Sequence, residues 1–397
     1  MEARADTPVT GRLAYMSEPR VLAYAEYPLP ELEPDGILVE VLRANVCGSE
    51  LHIWNGKHPV KKRGGLGHEM VLRVLAFGDR RTTDNRGVPL AVGDRIVCTY
   101  FQTCQRCPQC VGGQYNLCDN AYEFFGRQPE EAPHFHAAFA THYYIHPLQN
   151  VYKVPDEIPD AVAAGANCAL SQVFYGIDQI ALQQDETVLI QGAGGLGLYA
   201  IAVAKERGAR VLVVDGVAAR LAQARAFGAD HVIDINELPE LEDRERAVLE
   251  LTNGRGADVG VEVAGVPAAF AEGLRLVRRG GRYLVMGNLS PGATVPFDPG
   301  YVTRKALTIR HVDRYEARYL WKALTFLAEH GTSTPWKNSS TPSSRSPTSR
   351  WRWRSPSTAR SLAPSSPSPT EGNRYEHGYT RTSRPLDRRG APPAAVR

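Results

Sequence analysis

The stretch Thr187-Val188-Leu189-Ile190-Gln191-Gly192-Ala193-Gly194-Gly195-Leu196-Gly197 decides the fold, because an apolar run passes there directly into a glycine-rich turn. The run predicts a buried strand, and the residues from the turn to Arg207 predict a helix. Asp215 follows the next predicted strand, Arg210 to Val214. A strand, a G-x-G-x-x-G turn, a helix and an acidic residue about 20 positions further on form the dinucleotide-binding fingerprint.

The same turn predicts the cofactor contacts. Its glycines let the backbone approach a pyrophosphate, and the helix N-terminus offers unpaired N–H groups to the phosphate oxygens. We expect Asp215 to accept hydrogen bonds from the adenosine ribose, and because a carboxylate there repels a 2′-phosphate, NAD is favoured over NADP. The predicted cofactor-binding residues are Gly192, Gly194, Gly195, Leu196, Gly197, Asp215, Arg220, Ala264 and Gly287.

Predicted strands alternate with predicted helices from residue 187 to residue 286, which indicates βαβ units and a parallel, doubly wound sheet. Before that region, residues 12 to 100 carry short alternating runs separated by Pro and Gly, a pattern typical of an irregular β-domain. Between the two regions, Asp160 to Gln179 predicts a helix with Asp160 as its N-cap. The predicted fold class is therefore α/β with an additional β-domain.

Four cysteines lie close together in one polar loop, as Cys104-x-x-Cys107-x-x-Cys110 followed by Cys118. Four thiolates at this spacing close a tetrahedral shell around zinc and leave no open position, so the sequence predicts a structural zinc site over residues 104–118. The alternative, free or disulfide-bonded cysteines, is less favoured in a chain without a secretion signal.

A second candidate metal site is spread along the chain. Cys47-Gly48-Ser49-Glu50-Leu51-His52 brings a thiol, a hydroxyl, a carboxylate and an imidazole together, which suits metal-assisted proton transfer. An open catalytic zinc needs three protein ligands, and His68 and Cys168 would complete the set with Cys47. Each has an alternative, because His68 precedes an apolar strand and a small cysteine such as Cys168 is often part of a core.

The charge of the chain is unevenly distributed. Of its 46 Lys+Arg and 43 Asp+Glu, about 12 and 3 lie in residues 336–397, so the rest of the chain is acidic. An acidic body does not indicate a nucleic-acid surface. The N-terminus shows no signal pattern and no apolar run is long enough to span a membrane, so we expect a cytoplasmic protein.

The composition changes again after His330. Residues 338–370 are mostly Ser, Pro, Thr and Arg, and residues 336–397 are predicted to be disordered because they offer too little apolar surface to offset chain entropy. Tryptophans such as those of Trp351-Arg352-Trp353-Arg354 are unusual in a linker. Back-translated with suitable Arg codons and read one base earlier, this stretch can encode Val-Glu-Val-Ala. The alternative hypothesis is therefore a frameshift near residues 332–338. Sequencing of the coding DNA tests it, and one intact frame that matches relatives through residue 397 would refute it.

Together these motifs resemble the medium-chain dehydrogenase/reductase superfamily and, within it, the zinc-dependent alcohol dehydrogenases. The resemblance extends from about Leu13 to His330. It rests on Cys47 to His52, Gly67-His68-Glu69, Gly93-Asp94-Arg95, the four cysteines, Cys168 and Gly192 to Gly197. It implies a GroES-like catalytic domain, a Rossmann domain and an active site between them, commonly in homodimers or homotetramers.

The predicted domain bounds follow from this resemblance. They are 1–174 for the GroES-like domain, 175–315 for the Rossmann domain, 316–335 for a segment that returns to the catalytic domain, and 336–397 for the tail. If the frameshift is real, the closing helix and strand of the family are lost, and each large core side chain left exposed costs about 1.5–3 kcal/mol. This exact chain would then be unstable or poorly active, which equal activity and melting temperature in a frame-restored version would refute.

The resemblance also implies ligands for the catalytic metal. Cys47, His68 and Cys168 match the three protein ligands of the catalytic zinc. Glu69 lies beside them in the sequence, where the family pattern places a carboxylate that orients or transiently replaces a ligand.

The proton path is implied in the same way. Ser49 matches the hydroxyl that hydrogen-bonds the alcohol, and His52 matches the outer end of a proton relay. The family usually has Asp at the position of Glu50 and Gly at the position of Leu72. The segment from Tyr122 to His136 also departs from the common glycine-rich version, so the substrate is less defined than the chemistry.

The implied reaction is a zinc- and NAD-dependent transfer of hydride between an alcohol and a carbonyl, the alcohol being secondary or similar to a polyol or cyclitol. Two alternatives are a zinc-independent quinone or enoyl reductase of the same superfamily and a non-catalytic nucleotide-binding protein. Trp54 and Phe124 are candidate walls of the substrate pocket, and a position in the core is an equally weighted alternative for both.

Overall fold

The computed structural model describes residues 9–57, 63–287, 291–331 and 344–345. The prediction of a disordered or frameshifted tail falls on residues outside these ranges, apart from Ser344–Arg345. In the part of the chain that is described, no helix combines the length and apolar character that a membrane span requires.

The N-terminal part of the chain is a β-domain built from two sheets. Its strands are β1 (Thr10–Glu18), β2 (Val21–Pro28), β3 (Ile37–Asn45), β4 (Gly64–Gly65), β5 (Glu69–Phe77), β6 (Arg95–Cys98), β7 (His142–Ile145) and β8 (Val151–Lys153). The smaller sheet has the order β2-β1-β4. The larger has the order β15-β3-β5-β6-β8, where β15 is Ser344–Arg345 and β7 also pairs with β3. Ile37, Val39 and Val41 of β3 share one face of the strand and are buried, and Leu38 on the opposite face is buried as well.

Short helices interrupt the β-domain at the two cysteine motifs. Helix α1 (Gly48–Trp54) follows β3 and is capped by Cys47, whose backbone is extended. Helix α2 (Pro108–Val111) and a 3₁₀ turn (Tyr115–Leu117) lie in the four-cysteine loop. Both cysteine motifs therefore occupy helix starts or turns rather than strands.

Two helices and a π-helical turn lead from the β-domain to the second domain. They are α3 (Asp160–Ala163), the π turn (Ala166–Leu170) and α4 (Ser171–Gln179), where the sequence predicted one continuous helix. The prediction of Asp160 as the N-cap was wrong: Pro159 holds that position, and the Asp160 carboxylate accepts a hydrogen bond from Arg95 at 2.7 Å. Such π turns are frequent at functional sites, and this one carries Cys168.

The second domain confirms the predicted doubly wound sheet. Its elements are β9 (Thr187–Gln191), α5 (Gly195–Glu206), β10 (Arg210–Asp215), α6 (Ala218–Ala226), β11 (His231–Asp234), α7 (Leu241–Leu251), β12 (Ala257–Glu262), α8 (Pro267–Leu276), β13 (Val277–Val285), α9 (Pro299–Lys305) and β14 (Thr308–His311). All strand pairs are parallel, in the order β11-β10-β9-β12-β13-β14. The order reverses between β9 and β12, and ligands of such sheets bind beyond the strand ends at this switch point.

The last described helix, α10 (Arg318–His330), packs its apolar face on α4. The rings of Phe174 and Phe326 lie 5.3 Å apart in this contact, and Lys322 Nζ donates to Asp178 at 3.0 Å. The bounds of α10 lie within residues 316–335, the segment predicted to return to the catalytic domain.

Candidate active site

Four side chains from separate parts of the β-domain and the π turn converge on one point. Cys47 precedes α1, His68 and Glu69 stand at the start of β5, and Cys168 lies in the π turn. One ligand atom from each lies within 4.8 Å of all the others, and all but Cys47 are buried. The Sγ atoms of the two cysteines are 4.0 Å apart, and His68 Nε2 is 3.2 Å from Cys168 Sγ. Two thiols and an imidazole at these separations fit the ligand set of an open zinc site.

Glu50 holds two of these ligands in place. Its Oε1 is 2.5 Å from His68 Nδ1, and its Oε2 accepts the backbone N–H of Cys47 at 2.7 Å. Because Nδ1 of the imidazole is engaged, Nε2 is the nitrogen that remains for a metal. The longer side chain at the position where the family usually has Asp therefore reaches the ligand imidazole.

Asn167 ties the ligand-bearing segments to one another. This fully buried amide donates to the carbonyl oxygens of His68 at 2.9 Å and Cys98 at 3.0 Å, while its Oδ1 accepts from Met70 at 3.4 Å. The Tyr315 hydroxyl donates to the Asn167 carbonyl oxygen. Sequence reasoning missed this role, although an amide among the apolar residues around Cys168 was a signal.

Proximity and burial shift the pKa values within the cluster. The hydrogen bond with Cys168 is the largest effect on Cys47, and with the contacts of His68 it holds the pKa of Cys47 well below its ordinary value despite burial. The same bond, together with burial, raises the pKa of Cys168. Burial alone would lower the pKa of His68, but Glu50 and Cys47 raise it. Burial, followed by the charge of Cys47, raises the pKa of Glu69. A bound cation would stabilise this concentration of negative charge.

Helix α1 places the two predicted relay residues near the cluster. The Ser49 side chain hydrogen-bonds Cys47. His52 follows three positions later, so that it lies on the same face of the helix one turn further on. Both side chains are partly exposed. A hydroxyl thus lies beside a candidate ligand, with an imidazole further along the helix.

The four predicted structural ligands also come together. Cys104, Cys107, Cys110 and Cys118 are buried, and their sulfur atoms lie within 4.8 Å of one another. Backbone N–H groups of Cys104, Cys107 and Cys110 donate to the sulfurs of Cys118, Cys104 and Cys107 at 3.3, 3.4 and 3.5 Å. Burial raises the pKa of Cys110 to about 12. All seven cysteines of the chain are free of disulfide bonds, and this set of donors fits a closed structural zinc site.

The glycine turn after β9 has two kinds of glycine. A Cβ at Gly192 would lie 2.8 Å from Ala264 Cα, and one at Gly197 would lie 1.9 Å from the Gly192 carbonyl oxygen, so backbone packing requires both glycines. A Cβ at Gly194 or Gly195 would meet open space. The backbone at the start of α5 is therefore open to a ligand, and this opening fits a pyrophosphate at a helix N-terminus.

Asp215 braces the same turn. Its Oδ2 accepts the backbone N–H of Ala193 at 2.7 Å, and its Oδ1 accepts that of Val217 at 2.8 Å. Arg220 Nη1 lies 3.8 Å from Oδ2, with about half of its side chain exposed. An ionised carboxylate has about four acceptor sites, so these bonds leave capacity for ribose hydroxyls.

The remaining predicted cofactor contacts lie at the ends of β12 and β13. Ala264 is exposed and adjoins the glycine turn, and Gly287 follows β13. The buried Glu262 joins the two loops, because its oxygens accept the N–H groups of Gly265 at 2.8 Å and Gly287 at 3.3 Å. Sequence reasoning missed Glu262, a buried carboxylate at the end of β12.

The two candidate pocket walls, Trp54 and Phe124, pack against other apolar and aromatic side chains. Phe124 is 3% exposed and packs on the rings of His136 and His146, so it belongs to the core. Trp54 packs against a small apolar cluster that includes Met16 and Ile53. The rings that border His68 are those of Tyr100, which sequence reasoning did not identify, and Phe125, which lies in the segment from Tyr122 to His136 that the family resemblance assigns to the substrate lobe.

Two family models match the chain and divide it as the two domains do. The alcohol dehydrogenase GroES-like domain matches residues 33–156, and the zinc-binding dehydrogenase model matches residues 195–329. The chain belongs to the zinc-dependent alcohol dehydrogenases of the medium-chain dehydrogenase/reductase superfamily. Members of this class transfer hydride between an alcohol and NAD, and the cofactors of this chain are accordingly zinc and NAD.

Several characterised relatives have similar sequences or structures. The chain is 33% identical to the 5-exo-hydroxycamphor dehydrogenase of Pseudomonas putida over 80% of this chain and 87% of that protein. It is 33% identical to the sorbitol dehydrogenase of Bacillus subtilis over 81% and 87% of the two chains. An alcohol dehydrogenase structure from Thermotoga maritima superposes with a TM-score of 0.76 at 32% identity, covering 81% and 89%. The comparisons favour the zinc-dependent dehydrogenase over both alternatives, with a small alcohol or carbonyl compound as substrate.

Proposed function

We propose that the chain catalyses reversible, NAD-dependent oxidation of a secondary alcohol at the point where Cys47, His68 and Cys168 converge. The observation that carries this proposal is the convergence itself, because three donors separated by up to 121 positions lie within one ligand sphere. The hydroxyl of Ser49 stands beside them. An incidental grouping would not require the Glu50 carboxylate to orient both Cys47 and His68.

The chain's own residues would hold both zinc ions. Cys47, His68 and Cys168 would bind the catalytic ion, and Glu50 would fix the tautomer of His68. The four cysteines of residues 104–118 would bind the structural ion. Zinc supplies Lewis acidity that makes an alcohol hydroxyl easier to deprotonate near neutral pH. Glu69, buried within the same cluster, is placed to exchange with a ligand.

The proton and the cofactor have separate sites. Ser49 is placed to receive the proton of the substrate hydroxyl, and His52 is placed to pass it toward solvent. The open backbone at Gly194 and Gly195 would bind the pyrophosphate of NAD, and Asp215 would bind the adenosine ribose. NAD supplies the acceptor for the hydride.

The test combines metal content with turnover. We expect two zinc ions per chain and reduction of NAD⁺ in the presence of secondary alcohols. Replacement Ser49→Ala is expected to lower kcat by about 10²–10⁴-fold without loss of zinc or NADH binding. Ser17→Ala, a partly exposed serine near the end of β1, is the matched control. Fewer than two zinc ions would favour a zinc-independent reductase, and NADH binding without turnover would favour a nucleotide-binding protein.

We further propose a cytoplasmic homodimer or homotetramer. Support for association comes from the family resemblance and from β14, which ends the six-stranded sheet and offers backbone groups to a further strand. Support for a reducing compartment comes from the seven free cysteines. Sedimentation analysis measures the assembly, and fractionation of the source cells measures the location.

A further inference from the structure

Three aromatic rings, here called the ring cluster, border the candidate metal site: Tyr100, Tyr122 and Phe125. The ring centroid of Tyr100 is 4.9 Å from that of His68, and Phe125 meets the same imidazole edge-on at 6.3 Å. Tyr122 joins the two, with its ring 6.5 Å from Tyr100 and 6.3 Å from Phe125. The ring cluster is therefore continuous and adjoins a candidate metal ligand directly.

The ring cluster contacts the core but is not wholly buried. Phe101 and Tyr315 pack against Tyr100 at 5.1 and 6.2 Å and are 1% and 0% exposed. Tyr100 and Tyr122 themselves are partly exposed. Partly exposed rings beside a buried set of metal donors are positioned to contact a substrate that reaches that site.

The guanidinium of Arg314, which lies beside Tyr122, already has interaction partners. The guanidinium carbon of Arg314 lies 4.9 Å from the ring centre of Tyr122, and the residue is 8% exposed. Its Nε donates to the carbonyl oxygen of Asn116 at 2.6 Å, and its Nη2 lies 3.5 Å from the carboxylate of Asp313. Arg314 is thus buried and engaged by Tyr122, Asn116 and Asp313, so its charge is not free for a substrate carboxylate.

We propose that the preferred substrates are secondary alcohols carried on an apolar ring, and that the ring cluster packs against that ring. This substrate class rests on the function proposed above. Aromatic faces pack well against apolar rings, whereas each buried hydroxyl of an open-chain polyol needs its own hydrogen-bond partner. An amino acid substrate would need a free cation for its carboxylate, and Arg314 is engaged elsewhere.

The first experiment tests the proposed substrate class directly. The zinc-loaded full chain, and in parallel a frame-restored version, is assayed for NAD⁺ reduction with cyclohexanol, sorbitol and threonine. We expect kcat/KM for cyclohexanol to exceed the other two by about ten-fold or more, the range that pocket complementarity of this kind supports. Equal values, or a preference for sorbitol or threonine, would overturn the substrate class and leave the proposed function intact.

The second experiment assigns the preference to the ring cluster. Tyr122→Leu is expected to lower kcat/KM for cyclohexanol by about ten-fold, because one aromatic contact is lost. Values for sorbitol and threonine should change little, and Tyr122→Phe should retain the preference because the ring remains. Tyr24→Leu is the matched control: the guanidinium of Arg12 lies 4.6 Å from its ring on an exposed strand. An equal loss for all three alcohols would show a general structural role and overturn the assignment.

A binding measurement separates this inference from the proposed function. If no alcohol is turned over, the proposed function fails. Calorimetric titration with cyclohexanone then still decides the substrate site. Saturable binding that Tyr122→Leu weakens and Tyr24→Leu preserves supports the ring cluster, and the absence of binding overturns it.

Discussion

The two sets of candidate zinc ligands differ in how the chain brings them together. In the four-cysteine loop, Cys104 and Cys118 are separated by 14 positions, and the backbone N–H groups of the loop itself donate to the sulfurs. In the other set, Cys47 and Cys168 are separated by 121 positions and lie on elements that meet only in the folded domain. The first set depends on local loop geometry and the second on the whole tertiary structure.

The chemistry of the two sets follows the same division. Four thiolates complete a tetrahedral shell and leave no position for a substrate, so a local loop of cysteines suits a structural ion. Two thiols and one imidazole leave a fourth position, and the neighbouring Ser49, Glu50 and Glu69 supply groups that can move or hold a proton. Local cysteine clusters therefore stabilise a fold, whereas a reactive site needs residues that the fold assembles.

Removal of one ligand from the long-range set should have the largest effect. Cys47→Ala is expected to lower kcat/KM by about a thousand-fold or more, since several kcal/mol of charge stabilisation depend on the metal. Metal analysis should then find one zinc per chain instead of two. Cys98→Ala removes another buried thiol and serves as the control, with both zinc ions retained. An active Cys47→Ala variant with two zinc ions would contradict the assignment.

Removal of one ligand from the local set should act on stability instead. Cys110→Ser is expected to lower the free energy of unfolding by more than about 3 kcal/mol, because a structural metal site is lost. Urea denaturation measures this loss. The variant should retain the catalytic zinc and measurable turnover at temperatures where it remains folded. Loss of turnover in a fully folded variant would show that the two sites are not separable in this way.

Replacement of Glu50, which orients two ligands of the long-range set, should have an intermediate effect. Glu50→Gln is expected to weaken zinc binding at this site by about 10–100-fold, because the carboxylate no longer orients His68. Competition with a chelator measures the affinity, and Glu50→Asp should retain most of it. Glu40→Gln is a control, since Glu40 pairs with Arg73 on the surface at 3.2 Å. If all three variants bound zinc equally, Glu50 would have no positioning role.

The smallest expected effect is on stability, at Asp178 of α4, which pairs with Lys322 of α10 and with Arg207. Burial alone would raise the pKa of Asp178, but hydrogen bonds from Lys322 and Arg207 hold it below its ordinary value. A lowered folded-state pKa stabilises the protein above the unfolded pKa near 3.9, and this contribution is lost as pH falls through the folded value. Asp178→Asn should therefore cost less than about 1 kcal/mol at pH 7, because the pair is partly exposed, and the difference from the parent should vanish at acidic pH. A difference in the free energy of unfolding between the two proteins that increased as the pH fell would contradict the lowered pKa of Asp178.

Features with a local signal could be predicted from the sequence. The parallel sheet followed from alternating strands and helices, and the dinucleotide turn followed from Gly192 to Gly197 with Asp215. The four-cysteine site followed from spacing alone. The three candidate long-range ligands could be suggested from their residue types, but the family pattern was needed to assign them, because nothing in their spacing shows that Cys47 and Cys168 meet.

Features that depend on tertiary contacts could not be predicted. The π turn at Ala166–Leu170 has no sequence signature, although it carries Cys168. Arg314 adopts a φ of 56°, which non-glycine residues rarely adopt, and its partner Asn116 is 198 positions away. The ring of Tyr100 became a candidate only when its neighbours were known, and Tyr122 had been singled out only as the start of the segment that extends to His136. Such contacts depend on the packing of the whole domain, and the hydrophobic periodicity of the sequence carries no information about that packing.

The hydrogen bonds of Asp215 have a consequence for protein engineering. A designer who wishes the enzyme to use a phosphorylated dinucleotide would replace Asp215 with a small neutral residue. That replacement would also remove the acceptor for the N–H groups of Ala193 and Val217, which anchor the glycine turn to the following helix. If Asp215 binds the adenosine ribose as proposed, cofactor preference and the shape of the glycine turn are linked through one carboxylate. A successful redesign would have to supply a new acceptor for these two N–H groups together with the new cation.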